Sequence, residues 1–272
     1  MTQITLSSAP SDIELQPPSE TPRRTFPAVN AAHSVNPRAP RHFAIVLDDC
    51  HGLQHDSAQS AASAAAAALH ETLCACLEEG VSCVSLLVPA THKAMRVFIP
   101  SFCTQLAQDA RELASRGGRI AILTSAGEIG SVLNGCTPYV ENLRAALRGV
   151  SGDSPDERLR INLGVAYSGR SDLVRAVRRI ASRVKRSEFL PSGVNSDLLS
   201  GELASAQLPS VDFLIRTGGE TRLSDFLLMH AAYAELLFMK VPWLEFRRSD
   251  FKSALADYAR RSRTFGGLMS KK

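Results

Sequence analysis

Residues 215–238, IRTGGETRLSDFLLMHAAYAELLF, place two arginines and a hydroxyl around a glycine pair. Arg216 would end a buried strand, the glycines allow a tight turn, and Arg222 and Ser224 would begin a helix. Guanidinium groups, a hydroxyl and helix N-terminal amides together suit a phosphate or diphosphate. Glu220 is expected to hold one of the arginines in place. The alternative interpretation is a set of ordinary surface ion pairs.

A second polar cluster, DDCHGLQHD at residues 48–56, follows the apolar run FAIVL. Asp48 and Asp49 offer carboxylates, which suit a Mg²⁺ ion that bridges a diphosphate. His51 and His55 are either donors to the same anion or solvated loop histidines, and Asp49 could equally serve as a turn or helix cap.

These clusters must be positioned by strands and helices that alternate from residue 41 onward. Short continuous apolar runs predict strands at 43–47, 83–88, 119–123, 160–166, 211–216 and 235–239. Helices are predicted at 57–78, 101–115, 172–186 and 249–262. The fold class is therefore α/β, a single domain over residues 41–272 with a central, mostly parallel sheet flanked by helices. Ligands of such sheets bind beyond the carboxyl ends of the strands, where Asp48 and Arg216 both fall.

The predicted helix at 172–186 has an amphipathic pattern. Its expected core-facing residues are Leu173, Val177, Ile180 and Val184. Ser171 is the expected N-cap.

The composition narrows the function classes. The 272 residues carry a net charge of only +4 without a basic run, so nucleic-acid binding is not indicated. No apolar run approaches the roughly 18 residues of a membrane span and no signal peptide is recognisable, which favours a cytoplasmic protein without stable membrane insertion. The six cysteines show no zinc-ligand spacing and are expected to be buried thiols. Residues 1–40, rich in Pro, Ser and Thr, are expected to be a disordered tail.

Four stretches, in order along residues 41–267, resemble the cis-prenyltransferases, the undecaprenyl diphosphate synthase family. They are HFAIVLD, LRINLGVAYSGRSDLVRAVRRIA, RTGGETRLSDFLL…YAELLF and RTFGG. They are similar to the family's H-x-A-I-I-M-D, L-x-I-x-x-x-Y-G-G-R-x-D-I-V-x-A-x-R, R-T-G-G-E-x-R-x-S-x-F-L-L…Y-A-E-L-x-F and R-x-F-G-G.

The resemblance implies a parallel-sheet core, a homodimer, an apolar tunnel for the growing chain, two diphosphate sites and Mg²⁺. The site for homoallylic isopentenyl diphosphate maps onto Arg216, Arg222 and Ser224. The aspartate that binds metal and diphosphate maps onto Asp48. The metal-binding glutamate, which reaches across the dimer, maps onto Glu235.

The match fails in the site for the allylic diphosphate. The family's G-N-G-R-W-A loop is replaced by DCHGL at residues 49–53, and Gly52 stands at the arginine position. The next helix lacks the family's arginine and histidine. The family's S-S-E-N-W-x-R appears as ATHKAMR at residues 90–96, which leaves Arg96 and, as a stand-in hydroxyl, Thr91. One diphosphate site therefore looks complete and the other looks rebuilt.

The resulting expectation is an atypical family member, similar to the short-chain and irregular prenyl diphosphate synthases of actinobacteria. It would condense C5 to C10 substrates, such as dimethylallyl, isopentenyl and geranyl diphosphates, into an irregular, branched or cyclised terpenoid diphosphate. The alternatives are a cyclase that ionises one diphosphate, a non-catalytic partner subunit of a cis-prenyltransferase, and an ordinary long-chain synthase.

In the expected mechanism, Mg²⁺ held by Asp48, with Asp49 as a candidate second ligand, bridges the leaving diphosphate. Arg96 offsets the charge that develops as the C–O bond breaks. The second substrate, anchored by the homoallylic-site residues, attacks the cation. A proton then passes to a diphosphate oxygen, His51 or His92.

Overall fold

A computed structural model describes residues 39–48, 58–88, 93–124, 137–148 and 158–262. Six strands form one sheet: β1 (His42–Val46), β2 (Cys83–Val88), β3 (Gly118–Leu123), β4 (Leu159–Val165), β5 (Phe213–Arg216) and β6 (Glu235–Phe238). Their spatial order is β3-β4-β2-β1-β5-β6, and all neighbouring pairs are parallel. The predicted parallel α/β sheet is confirmed, with every predicted strand present.

The helices are α1 (Ala58–Glu79), α2 (Lys93–Ser115), α3 (Thr137–Arg148), α4 (Gly169–Lys185), α5 (Ser196–Gly201) and α6 (Arg248–Arg260). Short 3₁₀ turns lie at Pro191–Gly193 and Trp243–Glu245. The four helices predicted at 57–78, 101–115, 172–186 and 249–262 are present. However, α2 begins eight residues earlier than predicted and continues through Pro100, a residue that usually ends a helix. None of these described helices has the length and apolarity needed to cross a bilayer.

The two faces of the sheet are covered differently. One face packs against α1, α2, α3 and α6 through a core that includes Phe43, Ile45, Leu86, Leu163 and Phe213. The opposite face is smaller and is covered largely by the irregular chain between β4 and β6. Its main side chains are Ala44, Val46, Leu87, Tyr167, Val211, Leu214, Phe226, Leu227 and Ala231.

The sequence-based description of α4 is partly wrong. Its N-cap is Ser168, whose Oγ accepts a hydrogen bond from the amide of Ser171 at 3.1 Å. Its buried side includes Asp172 and Ile180, whereas Val177 is 54% exposed. The pattern failed because a charged residue, rather than an apolar one, faces inward.

Asp172 is buried because long-range donors surround its carboxylate. The amide of Ala204 and the guanidinium of Arg175 donate to Oδ1, both at 2.8 Å. The hydroxyls of Tyr167 and Ser205 donate to Oδ2 at 3.0 and 3.2 Å. Burial alone would raise the pKa of Asp172, but these hydrogen bonds outweigh it and hold the pKa below its usual range. The carboxylate thus ties α4 to the chain that follows α5.

A buried histidine in β1 makes a second polar connection. His42 Nδ1 lies 2.7 Å from the carbonyl oxygen of Pro209, which can only accept, so Nδ1 carries the proton. Nε2 then accepts from the hydroxyl of Ser85 at 2.8 Å. Burial lowers the pKa of His42 to about 4, so the ring is neutral at physiological pH.

Candidate active site

The carboxyl ends of β1 and β5 bring Asp48 and Arg216 together. Val46 pairs with Arg216 in the sheet, and Asp48 follows two residues later. Arg216 Nη2 donates to Asp48 Oδ2 at 2.5 Å, and Arg216 is only 4% exposed. The predicted metal ligand and the predicted diphosphate ligand therefore neutralise each other as a buried ion pair.

The turn after β5 holds Asp48 through its backbone. Thr217 Oγ1 accepts from the Asp48 amide at 2.9 Å and donates to the Asp48 carbonyl at 2.7 Å. Gly218 has a φ of +82°, and a Cβ added there would lie 2.6 Å from the Asp48 carbonyl oxygen. Glycine is required at this position because both the dihedral angle and the close approach exclude a side chain.

Arg222 lies on the solvent side of the buried pair. Its carbonyl oxygen accepts from Arg216 Nη1 at 2.6 Å, and its own side chain is 67% exposed. Glu220 Oε2 lies 2.5 Å from Arg222 Nη1, which confirms that Glu220 holds an arginine. The buried guanidinium of Arg216 thus contacts the backbone of an arginine whose own side chain is accessible to solvent.

The predicted helix after the glycine pair is wrong. Residues 217–234 form a series of turns, so this segment presents no helix N-terminus to an anion. Ser224, Asp225 and Leu227 have φ values of +54°, +60° and +46°. Non-glycine residues seldom adopt such values, and in folded proteins they often occur where a loop is shaped for binding.

Asp225 fixes this loop to the start of α4, and its role was not predicted. Its Oδ2 accepts from the hydroxyl of Ser168 at 2.6 Å, and its Oδ1 accepts from the amide of Arg170 at 3.0 Å. The amide of Gly169 donates to the Asp225 carbonyl at 2.8 Å. An acidic residue suits the amides of a helix N-terminus. Asp225 therefore sets the position of its neighbour Ser224.

Glu235 lies at the amino ends of the strands, whereas Asp48 lies beyond their carboxyl ends. It is the first residue of β6, level with Phe213 and Phe43, and its Oε2 lies 3.0 Å from Arg261 Nη1. Asp48 is five residues beyond Phe43, about 16 Å at roughly 3.3 Å per residue. The two carboxylates of one chain therefore do not meet at one ion.

Most residues predicted to form the rebuilt site for the allylic diphosphate lie outside the part of the chain that the structure describes. Asp49, His51, Gly52 and Thr91 lie outside the described residues, as do His55 and His92. Arg96 belongs to α2, but its side chain is outside the description. Their roles stay predictions.

The described residues fit a Mg²⁺–diphosphate pair. Asp48 supplies the hard oxygen donor that Mg²⁺ prefers, and in proteins this ion commonly takes its further ligands from substrate phosphates and water. Arg216 Nε is buried and has no hydrogen-bond partner within the described part of the chain, so this guanidinium retains an unused donor. An oxyanion is the group that would satisfy it.

Known proteins resemble the chain over most of its length. A family model described as "Putative undecaprenyl diphosphate synthase" matches residues 53–266. A ditrans,polycis-undecaprenyl-diphosphate synthase ((2E,6E)-farnesyl-diphosphate specific) of Xanthomonas oryzae pv. oryzae is 33% identical over 247 residues, 87% of this chain and 92% of that protein. The Escherichia coli protein of the same description is 42% identical over 109 residues, 40% of this chain and 43% of that protein.

The fold has a counterpart among solved structures. Lavandulyl diphosphate synthase from Lavandula x intermedia, in complex with dimethylallyl diphosphate, superimposes with a TM-score of 0.70 at 23% identity. The match covers 84% of this chain and 99% of that one, and at this identity it shows the shared fold. Together with the family model and the relative from Xanthomonas oryzae, the strand-end site leads to one assignment: the chain belongs to the undecaprenyl diphosphate synthase family of cis-prenyltransferases.

Proposed function

We propose that this protein is a cytoplasmic, Mg²⁺-dependent prenyltransferase that condenses short allylic and homoallylic prenyl diphosphates of C5 to C10. The product is an irregular, branched or cyclised terpenoid diphosphate. One observation carries the proposal: Asp48, Arg216 and Arg222 converge at the carboxyl edge of the sheet in a chain of this family. Family membership supports the prenyltransferase class, and the finer substrate assignment rests on the arguments that follow.

The homoallylic diphosphate binds at Arg216, Arg222 and Ser224. The exposed guanidinium of Arg222 is the first contact because it is already accessible. A diphosphate oxygen then replaces the Asp48 carboxylate as a partner of Arg216, and Asp48 becomes available to a cation. Substrate binding and metal binding are therefore coupled through the buried ion pair.

Asp48 and the Glu235 of a second copy would hold Mg²⁺ at this site. When bound there, Mg²⁺ would supply positive charge to stabilise the departing diphosphate. The allylic diphosphate occupies the rebuilt site formed by Asp49, His51, Gly52, Thr91 and Arg96, and Arg96 contributes a charge-assisted contact to it.

The packing between α2, α3 and the sheet supports short products. Leu106 on α2, Val140 and Leu143 on α3 and Leu163 on β4 are each at most 1% exposed. These side chains are packed against one another, so within the described residues no open channel for a long polyprenyl chain runs along them. The same fold accommodates a C5 diphosphate in lavandulyl diphosphate synthase.

A homodimer is proposed on two grounds. Glu235 lies too far from Asp48 of its own chain to share an ion with it. The half of the chain that contains Glu235 also exposes Val174, Val177, Met229 and Tyr233, side chains that favour burial at an interface.

The decisive experiment is product analysis by mass spectrometry. The purified protein is incubated with Mg²⁺ and with C5, C10 and C15 diphosphates, singly and in pairs. Products of C10 to C20 that form only from substrates of at most C10 support the proposal. A product that keeps the carbon number of a single substrate would instead indicate a cyclase, and long polyprenyl products would refute the short-chain assignment. Inactivity combined with activation of a co-expressed homologue would indicate a partner subunit.

A further inference from the structure

A second group of metal-ligand side chains lies between α1 and α2. His70 and Cys74 are one turn apart on α1, and Asp109 and Glu112 are one turn apart on α2. Both helices run from the carboxyl edge of the parallel sheet back to its amino edge. These residues belong to the later halves of both helices, so the group lies toward the edge opposite Asp48 and is separate from the diphosphate site.

The geometry of the group is close to that of a zinc site. His70 Nε2 lies 3.6 Å from Cys74 Sγ and 3.8 Å from Glu112 Oε2. The three ligand atoms all lie within 4.8 Å of one another. A tetrahedral zinc with a bond of about 2.3 Å to sulfur and about 2.0 Å to nitrogen sets these two atoms about 3.5 Å apart. The observed separation of sulfur and nitrogen therefore needs almost no rearrangement.

Asp109 is placed to orient the histidine. His70 Nδ1 is buried, lies 3.1 Å from Asp109 Oδ2 and makes no hydrogen bond within the described residues. Histidines that bind metals through one ring nitrogen usually donate the other N–H to a carboxylate or a carbonyl. A small rotation of the ring would complete this contact and direct Nε2 at the cation.

The guanidinium of Arg116 already places positive charge beside Cys74 and Glu112. Arg116 Nη1 donates to Cys74 Sγ at 3.0 Å and lies 3.9 Å from Glu112 Oε1. Its other terminal nitrogen lies 3.6 Å from Glu78, which can retain the guanidinium when a metal enters. The surroundings of the Cys74 sulfur are therefore arranged for a cation.

We propose that His70, Cys74 and Glu112 bind a borderline divalent cation of the zinc type, with Asp109 as the residue that positions His70. Sulfur and imidazole donors select such an ion over Mg²⁺, which prefers oxygen ligands. Because the ligands come from two helices, the bound ion joins α1 to α2 and stabilises the layer that covers the larger core.

The test uses the full chain after removal of metal by a chelator. Titration with Co²⁺ should produce a thiolate-to-metal charge-transfer band that is complete at one equivalent of Co²⁺ per chain. Added Zn²⁺ should displace Co²⁺ and remove the band. Cys74→Ser should abolish the band, and Glu112→Gln, which changes an exposed side chain, should weaken Zn²⁺ binding at least about tenfold. Asp109→Asn should weaken binding by about 10- to 100-fold without changing the stoichiometry.

The matched control is Glu71→Gln, an exposed carboxylate on the same helix, which should bind like the wild type. Zn²⁺ should raise the melting temperature of the wild type and of this control, but not that of Cys74→Ser. The absence of a thiolate band, or a band of equal strength in Cys74→Ser, would overturn the proposal. Neither the charge-transfer band nor the melting temperature depends on prenyl transfer. A failure of the zinc proposal is therefore distinguishable from a failure of the proposed function.

Discussion

Removal of Asp48 should destabilise the protein as well as inactivate it. A strand-end aspartate suggests a ligand with no role in the core, so the sequence predicts an intact fold for Asp48→Ala. The structure changes that expectation because the carboxylate neutralises Arg216, which is buried. The substitution would leave a guanidinium without its counter-charge inside the protein.

The expected loss is large. Breaking a buried ion pair by removal of one partner costs about 3–5 kcal/mol, because the remaining charge is left unpaired. For a chain of this size, 1 kcal/mol corresponds to roughly 2–4 °C in melting temperature. Asp48→Ala should therefore melt about 6–20 °C below the wild type.

The assay is urea and thermal unfolding of three variants. Asp48→Ala should lose the stated stability. The double variant Asp48→Ala/Arg216→Met should recover much of it, because an apolar side chain replaces the orphaned charge. Glu71→Ala, at an exposed acidic position within α1, is the control and should change the free energy of unfolding by less than about 0.5 kcal/mol.

Two results would refute this reasoning. If Asp48→Ala unfolds within about 1 kcal/mol of the wild type, the ion pair is not a buried, stabilising contact. If the double variant is no more stable than the single one, the cost arises elsewhere. Both variants should be inactive, and a near-wild-type rate of either with Mg²⁺ would remove Asp48 from the metal site.

Three further predictions concern other described residues. Arg222→Ala should raise the Km for the acceptor diphosphate by about 10- to 150-fold, because it removes a contact worth about 1.5–3 kcal/mol. The melting temperature should not change, and an unchanged Km would exclude Arg222 from the site. The pKa of His42 is about 4 in the folded chain, against a reference of 6.5 for the unfolded chain. This histidine alone should therefore lower the stability by about 2.5 kcal/mol as pH drops from 6.5 to 4, because the unfolded chain binds the proton more tightly. In chemical unfolding across this range, His42→Asn should show a flatter pH dependence, and an equal slope would contradict the assignment. Gly218→Ala should lower the free energy of unfolding by at least about 1–3 kcal/mol because of its positive φ and the Asp48 contact, and a neutral effect in urea titrations would contradict this.

The elements that depend on local apolar patterns were predictable. Six continuous apolar runs gave six strands, since a sheet covered on both faces requires apolar residues at successive positions. The convergence of Asp48 and Arg216 was predictable as well, because parallel strands end at the same edge. The ion pair between Asp48 and Arg216 was not predictable, because the sequence does not show which charged side chains pair with each other when no ligand is bound.

Features fixed by long-range contacts were missed. The turns around Ser224 replace a predicted helix because Asp225 binds the start of α4, more than fifty residues earlier in the chain. The inward position of Asp172 depends on the amide of Ala204, which no periodicity reveals. The cluster at Cys74 escaped a search for cysteine spacings because its ligands come from two helices and include only one thiol.

The placement of Glu235 at the amino edge of β6 has a consequence for enzyme assembly. If each active site takes this glutamate from a second copy, a single chain holds two half-sites and no complete one. Specific activity should then fall on dilution as dimers dissociate. Two inactive variants, one altered at Asp48 and one at Glu235, should restore each other when mixed, because a hybrid dimer contains one intact pair of carboxylates. Random exchange of subunits would return about a quarter of the wild-type activity, since half of the dimers are hybrids and each hybrid has one working site of two.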